Sequence, residues 1–456
     1  MTMEQVQTIP ARKGWPLLGV LPELISQDFK GYFKNVMLEQ GDLVHLNFGP
    51  KSVYLVSHPD YLQRILRDNY QNYRKPDMLY AAAREVTGQG LATSSGELWL
   101  RQRRMIQPHL HRKQLVHLFD EMRGAVTEVL SRWEGFAQNH SKVEMGDRMA
   151  EITITVITRT IFGQESLSAD EVSAVSQCAI RLMNHVSYAL FNGFLPKWFP
   201  KPREASLERD QQTMHQVINR IIAKCRAGHE TSAGLIEMLI KSVDEETNQG
   251  MTEQQLYDEM MTIFLAGYET TSVALTWLLV TLKEYPAVLE KLQAEVDQVL
   301  GSRPPAFEDI LRLTYSQQVF MEVLRYHTVA SFLPRALNEP DQLGPYMLPA
   351  NALVLLSFYG VHHNPQVWDQ PEIFNPERFT PEAAAQRHPF AYVPFSAGPR
   401  KCAGDEFALL EGPLIIAMLL QRYTITLLPN QTFQTGVVSL RPKNGVKATL
   451  SLRNQP

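Results

Sequence analysis

Residues 395–404 read FSAGPRKCAG and place Cys402, one of only three cysteines, among Gly398, Gly404, Arg400 and Lys401. A lone sulfur among glycines and cations sits where thiolate is favoured over thiol. Glycines let a bulky partner approach the backbone without meeting a Cβ. Backbone N–H groups aimed at the sulfur would add to the effect. Residues 405–420 follow as an apolar stretch that reads as a helix. Cys402 therefore stands just ahead of a helix N-terminus, where the dipole favours an anion. The chemistry predicted is a thiolate facing something large. The plain alternative is a structural cysteine in a strand-to-helix turn.

A second group lies inside a long apolar stretch. Ala266-Gly-Tyr-Glu-Thr-Thr271 puts a glycine, a carboxylate and two β-branched threonines where a helix would favour none of them. Ala266, Glu269 and Thr270 fall on one face by i, i+3 and i+4 spacing. Local rules broken together point to function. A kinked helix with a satisfied glutamate is the alternative. Trp99 and Arg103 share a face four residues apart, and both are donors suited to a carboxylate. Glu322 and Arg325 are spaced to pair on a helix, and Arg378 follows in FNPERF, residues 374–379.

These groups need elements to hold them. The prolines and glycines of residues 13–24 (Gly14, Pro16, Gly19, Pro22) predict an extended lead-in over 1–24. Residues 42–48 and 52–57 alternate around Gly49-Pro50, a hairpin signal. Lys51 and Tyr54 fall on it and read as solvated. Helices are expected at 59–69, 97–112, 115–136, 149–162, 165–189 and 203–227. The last two flank an apolar stretch at 191–200 carrying Phe191, Phe194, Trp198 and Phe199. Residues 252–284 predict a long buried helix, opened by a Thr252/Gln255 capping box and stopped by Pro286. A helix over 317–327 carries Glu322 and Arg325. Residues 352–358 and 437–440 read as strands. Gly88 and Gly90 make a poor dinucleotide fingerprint, since no third glycine follows in place. His362 and His363 are adjacent, lack the spacing of a helical metal pair, and read as structural.

The 456 residues are 44% hydrophobic and 20% charged, with a net charge of −4. That is a globular composition with no overall basic excess, so nucleic acid is not an expected partner. Cys178, Cys225 and Cys402 are too few and too scattered for a disulfide framework and suit a reducing compartment. The first residues lack a signal-peptide core, and no run of 18 or more apolar residues is seen. A cytoplasmic, monomeric protein without a spanning segment is expected.

The motifs resemble those of the cytochrome P-450 family. Phe395, Gly398, Arg400, Cys402 and Gly404 match its heme-binding loop, F-x-x-G-x-R-x-C-x-G. Residues 266–270 resemble its oxygen-activation motif, Glu322/Arg325 its E-x-x-R, and residues 376–379 its P-E-R-F. The resemblance implies a mainly α (α+β) fold over 1–456, with a small β-rich region from about 40–70 and 329–360. It implies heme b between the long helix and the cysteine loop, with Cys402 as axial ligand of the iron and Phe395 beside the sulfur. Trp99, Arg103, Arg335 and Arg400 would meet the propionates. Glu269 and Thr270 would handle protons, and Glu322, Arg325 and Arg378 would form a buried network. Ala266, Val329, Ala330, Phe332 and Val438 would line the substrate pocket. The implied reaction is insertion of one atom of O2 into a fatty acid, terpenoid or steroid-like molecule. Electrons would come from NAD(P)H through a ferredoxin or flavodoxin and its reductase. The absence of an anchor suggests a soluble bacterial type. Arg101, Arg104, Arg112, Lys113 and Lys401 form a candidate basic patch for an acidic donor. A peroxygenase or isomerase independent of redox partners, and a non-catalytic heme sensor, remain as alternatives.

Overall fold

The structure, a computed structural model, describes residues 7–26, 28–163, 169–192, 207–227, 234–434 and 441–453. Val438, the strand expected at 437–440 and the aromatics Phe194, Trp198 and Phe199 lie outside them. The described lead-in is extended from Gln7 to Trp15, bridging Gln7 to Tyr346 and Ala11 to His45, and then turns back so that Trp15 bridges Gly19. A helix, Leu21–Ser26, then begins inside the stretch expected to be extended. Pro22 falls in its first turn, where a missing N–H costs nothing, so the proline opens the helix instead of preventing it.

Strands β1 (Leu43–Phe48) and β2 (Lys51–Val56) form the expected hairpin, with Leu43 opposite Val56. They join β3 (Tyr73–Arg74), β4 (Phe332–Leu337) and β5 (Leu353–Ser357) in the order β1-β2-β5-β4-β3. Only β2 and β5 run parallel within this sheet. Between β2 and β3 the helix Pro59–Gln63 widens into a π turn, Arg64–Asp68. That turn aims the Leu66 carbonyl at the cysteine loop.

Helices make up most of the rest. Helix α1 spans Asp77–Thr87 and α2 spans Gly96–Ile106. Helix α2 stops short of the expected 112 because Pro108 forces a 3-10 turn, Gln107–Leu110. A new helix, Arg112–Arg132, starts from His111 as its cap. Helix α3, Met145–Phe162, packs along the long helix α4, Glu253–Glu284. The helices expected at 165–189 and 203–227 are Ala169–Asn192 and Leu207–Arg226.

Helix α4 opens with the Thr252/Gln255 capping box. At 1.5 Å per residue it runs roughly 48 Å through the core, burying Leu256, Met260, Phe264, Tyr268, Leu275 and Leu278. Among the described helices it alone is long and apolar enough to cross a membrane, yet 72% of its apolar window is buried in the core. Gly267 is explained by packing. A Cβ there would meet Ile157 Cδ1 of α3 at 2.7 Å. Thr153 of α3 donates to Tyr268 O at 3.0 Å across the same close contact.

Helix α5 (Thr314–Tyr326) carries Glu322 and Arg325, both wholly buried. Arg325 donates to Glu322 through Nε (2.7 Å) and Nη2 (2.8 Å). It also reaches the carbonyls of His362 (2.8 Å), Pro371 (3.0 Å) and Ile373 (3.4 Å). Every guanidinium N–H is spent. Arg378 lies 3.6 Å from Glu322, and Asn375 N donates to it at 2.9 Å. This network fixes the segment that leads into the cysteine loop. His362 accepts from Val393 N (2.9 Å) and pairs with Thr328 (2.8 Å), so it is a satisfied structural imidazole.

Candidate active site

The cysteine loop is closed by Cys402 N donating to Phe395 O at 2.9 Å. Gly398 has φ +68, and a Cβ there would come within 1.9 Å of Leu66 O. Its glycine is demanded by the π turn beneath it. Gly404 is different: a Cβ there would meet no protein atom within 4 Å, so a flat group can approach its backbone. Helix α6, Asp405–Arg422, starts at once behind the loop with Gly404 as its cap.

Cys402 corrects one expectation. Its thiol pKa is raised by burial, which outweighs the Gly404 N–H bond and the charges of Arg103 and Lys401; Asp405 adds to the rise. Local sequence placed donors around the sulfur, but folding also stripped it of water. Cys402 is nonetheless accessible to solvent. Accessibility and strong desolvation agree if the sulfur opens on an internal cleft instead of the outer surface. Among the described residues no three His, Cys, Asp or Glu side chains gather as a metal site. A metal held at Cys402 must bring most of its ligands with it.

Ala266 and Thr270 are exposed in the middle of an otherwise buried α4. One narrow stripe of a core helix thus borders open space. Thr270 Oγ1 donates to Ala266 O at 2.9 Å. Glu269 does not join it: its carboxylate takes a bidentate grip from Arg441, with Nε at 3.0 Å. The acid and the hydroxyl are neighbours in sequence but not partners at rest. Arg441 was missed because a carboxylate in an apolar helix announces that it needs a cation, not which one. Glu411 of α6 was missed as well. It is wholly buried near Thr271, and burial pushes its carboxyl up to about 8. Among the described residues neither oxygen meets a partner at good geometry, although Thr271 is near enough to oppose the shift. Burial thus favours the uncharged acid.

The expected propionate ligands separate into two sets. Arg400 stacks on Trp99 at 3.6 Å and donates to Ser94 O at 3.1 Å. Arg335 is buried, with Nη1 3.1 Å from the Tyr80 hydroxyl. Neither has a carboxylate partner among the described residues. Burial, then Arg335, lowers the Arg400 guanidinium to about 10. Donors held so closely without an acid fit an incoming carboxylate. Arg103 instead donates to Lys401 O (2.7 Å) and Gln107 (2.6 Å), so it braces the cysteine loop. Phe332 turns its ring onto Phe33 at 4.7 Å, against the cluster beneath the sheet, while Ala330 is exposed and Val329 half-buried.

Two residues of the basic patch, Arg104 and Lys401, are paired with acids. Arg104 pairs with buried Asp244 at 2.8 Å and with Glu246 at 3.1 Å. Arg101 donates to the carbonyls of Gln249 and Gly250, and Lys401 pairs with Asp405. Arg104 is structural. Lys113 remains beside a shallow groove that Arg103, Gln107 and His111 also line.

A family model for cytochrome P450 matches residues 9–447. The chain belongs to the cytochrome P450 family. Cyclooctatin synthase of Streptomyces melanosporofaciens is 32% identical over 392 residues, covering 85% of this chain and 84% of that protein. Carotene epsilon-monooxygenase, chloroplastic, of Arabidopsis thaliana is 30% identical, covering 91% and 81%. The solved heme domain of cytochrome P450DA superposes with a TM-score of 0.89 at 23% identity, covering 99% of each chain, and supports the fold. This cytochrome P450 is a monooxygenase that binds heme b between α4 and the Cys402 loop. The residues present fit the group: an accessible sulfur, the open backbone at Gly404, and Arg335 and Arg400 without acids among the described residues. Bound there, heme supplies the activation of O2. The chain's own part would be to offer Cys402 as the ligand, anchor carboxylates, and shape the cleft beside Ala266 and Thr270.

Proposed function

We propose that this cytochrome P450 oxidises an isoprenoid substrate, hydroxylating or epoxidising a largely hydrocarbon skeleton. The observation that carries the reading is a set of relatives at 30% identity or more, among them one named for cyclooctatin and one for carotene. A third, cyclooctat-9-en-7-ol 5-monooxygenase of the same Streptomyces, is also 30% identical. Ala266 supports it, since it offers a small apolar surface on the exposed stripe of α4. Polycyclic terpenes and carotenes should convert the heme from low to high spin at micromolar concentration, and each should give an oxygenated product. A screen in which only fatty acids or steroids shift the spectrum would sink the assignment.

The enzyme is taken to work in soluble form in the cytoplasm, with electrons from a ferredoxin or flavodoxin and its reductase. The groove beside Lys113, on the helix that follows α2, is a surface an acidic donor could use.

In this reading Thr270 and Glu269 move protons within the cleft. Thr270 presents its hydroxyl on the exposed stripe. Glu269 must leave Arg441 before it can pass a proton inward. Thr270→Ala and Glu269→Gln should keep heme and substrate binding, lower product formed per NAD(P)H and release peroxide. The loss should be about 10²- to 10⁴-fold at most. Coupling equal to wild type in both variants would remove the proton-relay role.

A further inference from the structure

A third cation stands with Arg335 and Arg400. Lys75 Nζ donates to Ala92 O at 2.6 Å and to Ser94 O at 2.9 Å. Arg400 Nη1 donates to that same Ser94 oxygen at 3.1 Å. The two charged nitrogens therefore lie no more than about 6 Å apart. Tyr80, on α1, links Lys75 to Arg335: its hydroxyl receives Arg335 at 3.1 Å, and Lys75 lies over its ring at 5.5 Å. None of the three cations has a carboxylate partner among the described residues.

Like charges gathered away from water repel, and the arrangement is costly unless an anion joins it. Burial, then Arg400, Arg335 and Arg84, pushes the Lys75 ammonium down to about 6. Glu259 is the acid that opposes the shift, but burial raises its own carboxyl to about 8, and its Oε2 is taken up by Leu91 N at 2.9 Å. An ammonium has three N–H donors, and Lys75 spends two on carbonyls. The Tyr80 hydroxyl, accepting from Arg335, still has its proton to give.

The geometry points to Lys75 and the Tyr80 hydroxyl as further donors to a carboxylate held at this corner with Arg335 and Arg400, that carboxylate being a heme propionate. Neither residue belongs to the loop, helix or network motifs. Helix α1 and the segment before it thus become part of the cofactor clasp.

The test uses holoenzyme of the Lys75→Met, Lys75→Arg and Tyr80→Phe variants. Heme transfer to excess apomyoglobin and the heme reduction potential are read, with the reduced carbon-monoxide spectrum as a check on the fold. Lys75→Met should release heme roughly ten- to hundredfold faster, the range of one charge-assisted hydrogen bond. Its potential should fall, because a positive charge beside the ring is gone. Lys75→Arg should restore both, and Tyr80→Phe should speed release by about fivefold, as for a neutral bond. Wild-type release and potential in Lys75→Met would overturn the assignment. So would weaker binding of a fatty acid, but not of its methyl ester, with heme properties untouched, since the carboxylate would then be the substrate's. A Lys75→Met protein that will not hold heme supports the assignment if its apoprotein keeps wild-type helicity and Lys75→Arg restores loading. Without that rescue the assignment is overturned.

Discussion

Cys402→Ser should abolish the strongly red-shifted Soret band of the reduced carbon-monoxide complex and, with it, monooxygenase turnover. A serine hydroxyl is a hard, weakly donating ligand, whereas thiolate pushes electron density toward iron and favours O–O cleavage. The fold sharpens this prediction. Burial raises the Cys402 thiol pKa despite Gly404, Arg103 and Lys401, so the protein alone does not make the thiolate. Bound iron would, since a coordinating thiol is deprotonated outright. Serine gains far less from the same metal because its proton is held more tightly. The loop should survive the exchange, as its closing bond runs between backbone atoms of Cys402 and Phe395. A wild-type spectrum of the histidine-ligated kind, in folded protein, would contradict the assignment. So would a serine variant that kept the red-shifted band.

Glu322→Ala should be the most destabilising single substitution outside the heme loop. It leaves Arg325 charged, wholly buried and short of both its carboxylate bonds. It also strips Asn375 N of its acceptor and Arg378 of its nearest acid. Removing one partner of a buried pair costs about 3–5 kcal/mol, a large part of the ~5–15 kcal/mol that holds a domain folded. Arg325→Lys should fail almost as badly. An ammonium has three donors for positions that use five, so carbonyls of His362, Pro371 or Ile373 go unpaired. Chemical denaturation, followed by helicity and heme release together, reads the effect. A midpoint equal to wild type for Glu322→Ala would show that the network does not support the fold. Because the network anchors the segment ahead of the cysteine loop, heme should leave at lower denaturant than helicity is lost.

The features legible in the sequence were those written within a turn or two of chain. The capping box of α4 depends on residues three apart, and Thr252 and Gln255 meet as that spacing demands. Glu322 and Arg325 pair for the same reason. Cys402 stood out because glycines and cations are its immediate neighbours. Proline signals were read less well. Pro22 opens a helix that it was expected to prevent, and Pro108 divides two helices that were placed with other bounds. The residue's restriction is local, but whether it starts or breaks a helix depends on which turn it occupies.

The sequence by itself singled out Cys402 as the candidate ligand, drew the long helix and paired Glu322 with Arg325, because helical period and short-range stereochemistry encode such features. Tertiary structure decided what those residues meet. Glu269 is gripped by Arg441, 172 residues away, and no local pattern names that partner. Gly398 is needed for the approach of Leu66 O, which exists only once the π turn is docked. Lys75, Arg335 and Arg400 converge from separate segments onto Ser94 O and Tyr80. The sulfur's loss of water was likewise invisible, since desolvation is a property of everything packed around a group and not of its neighbours in sequence.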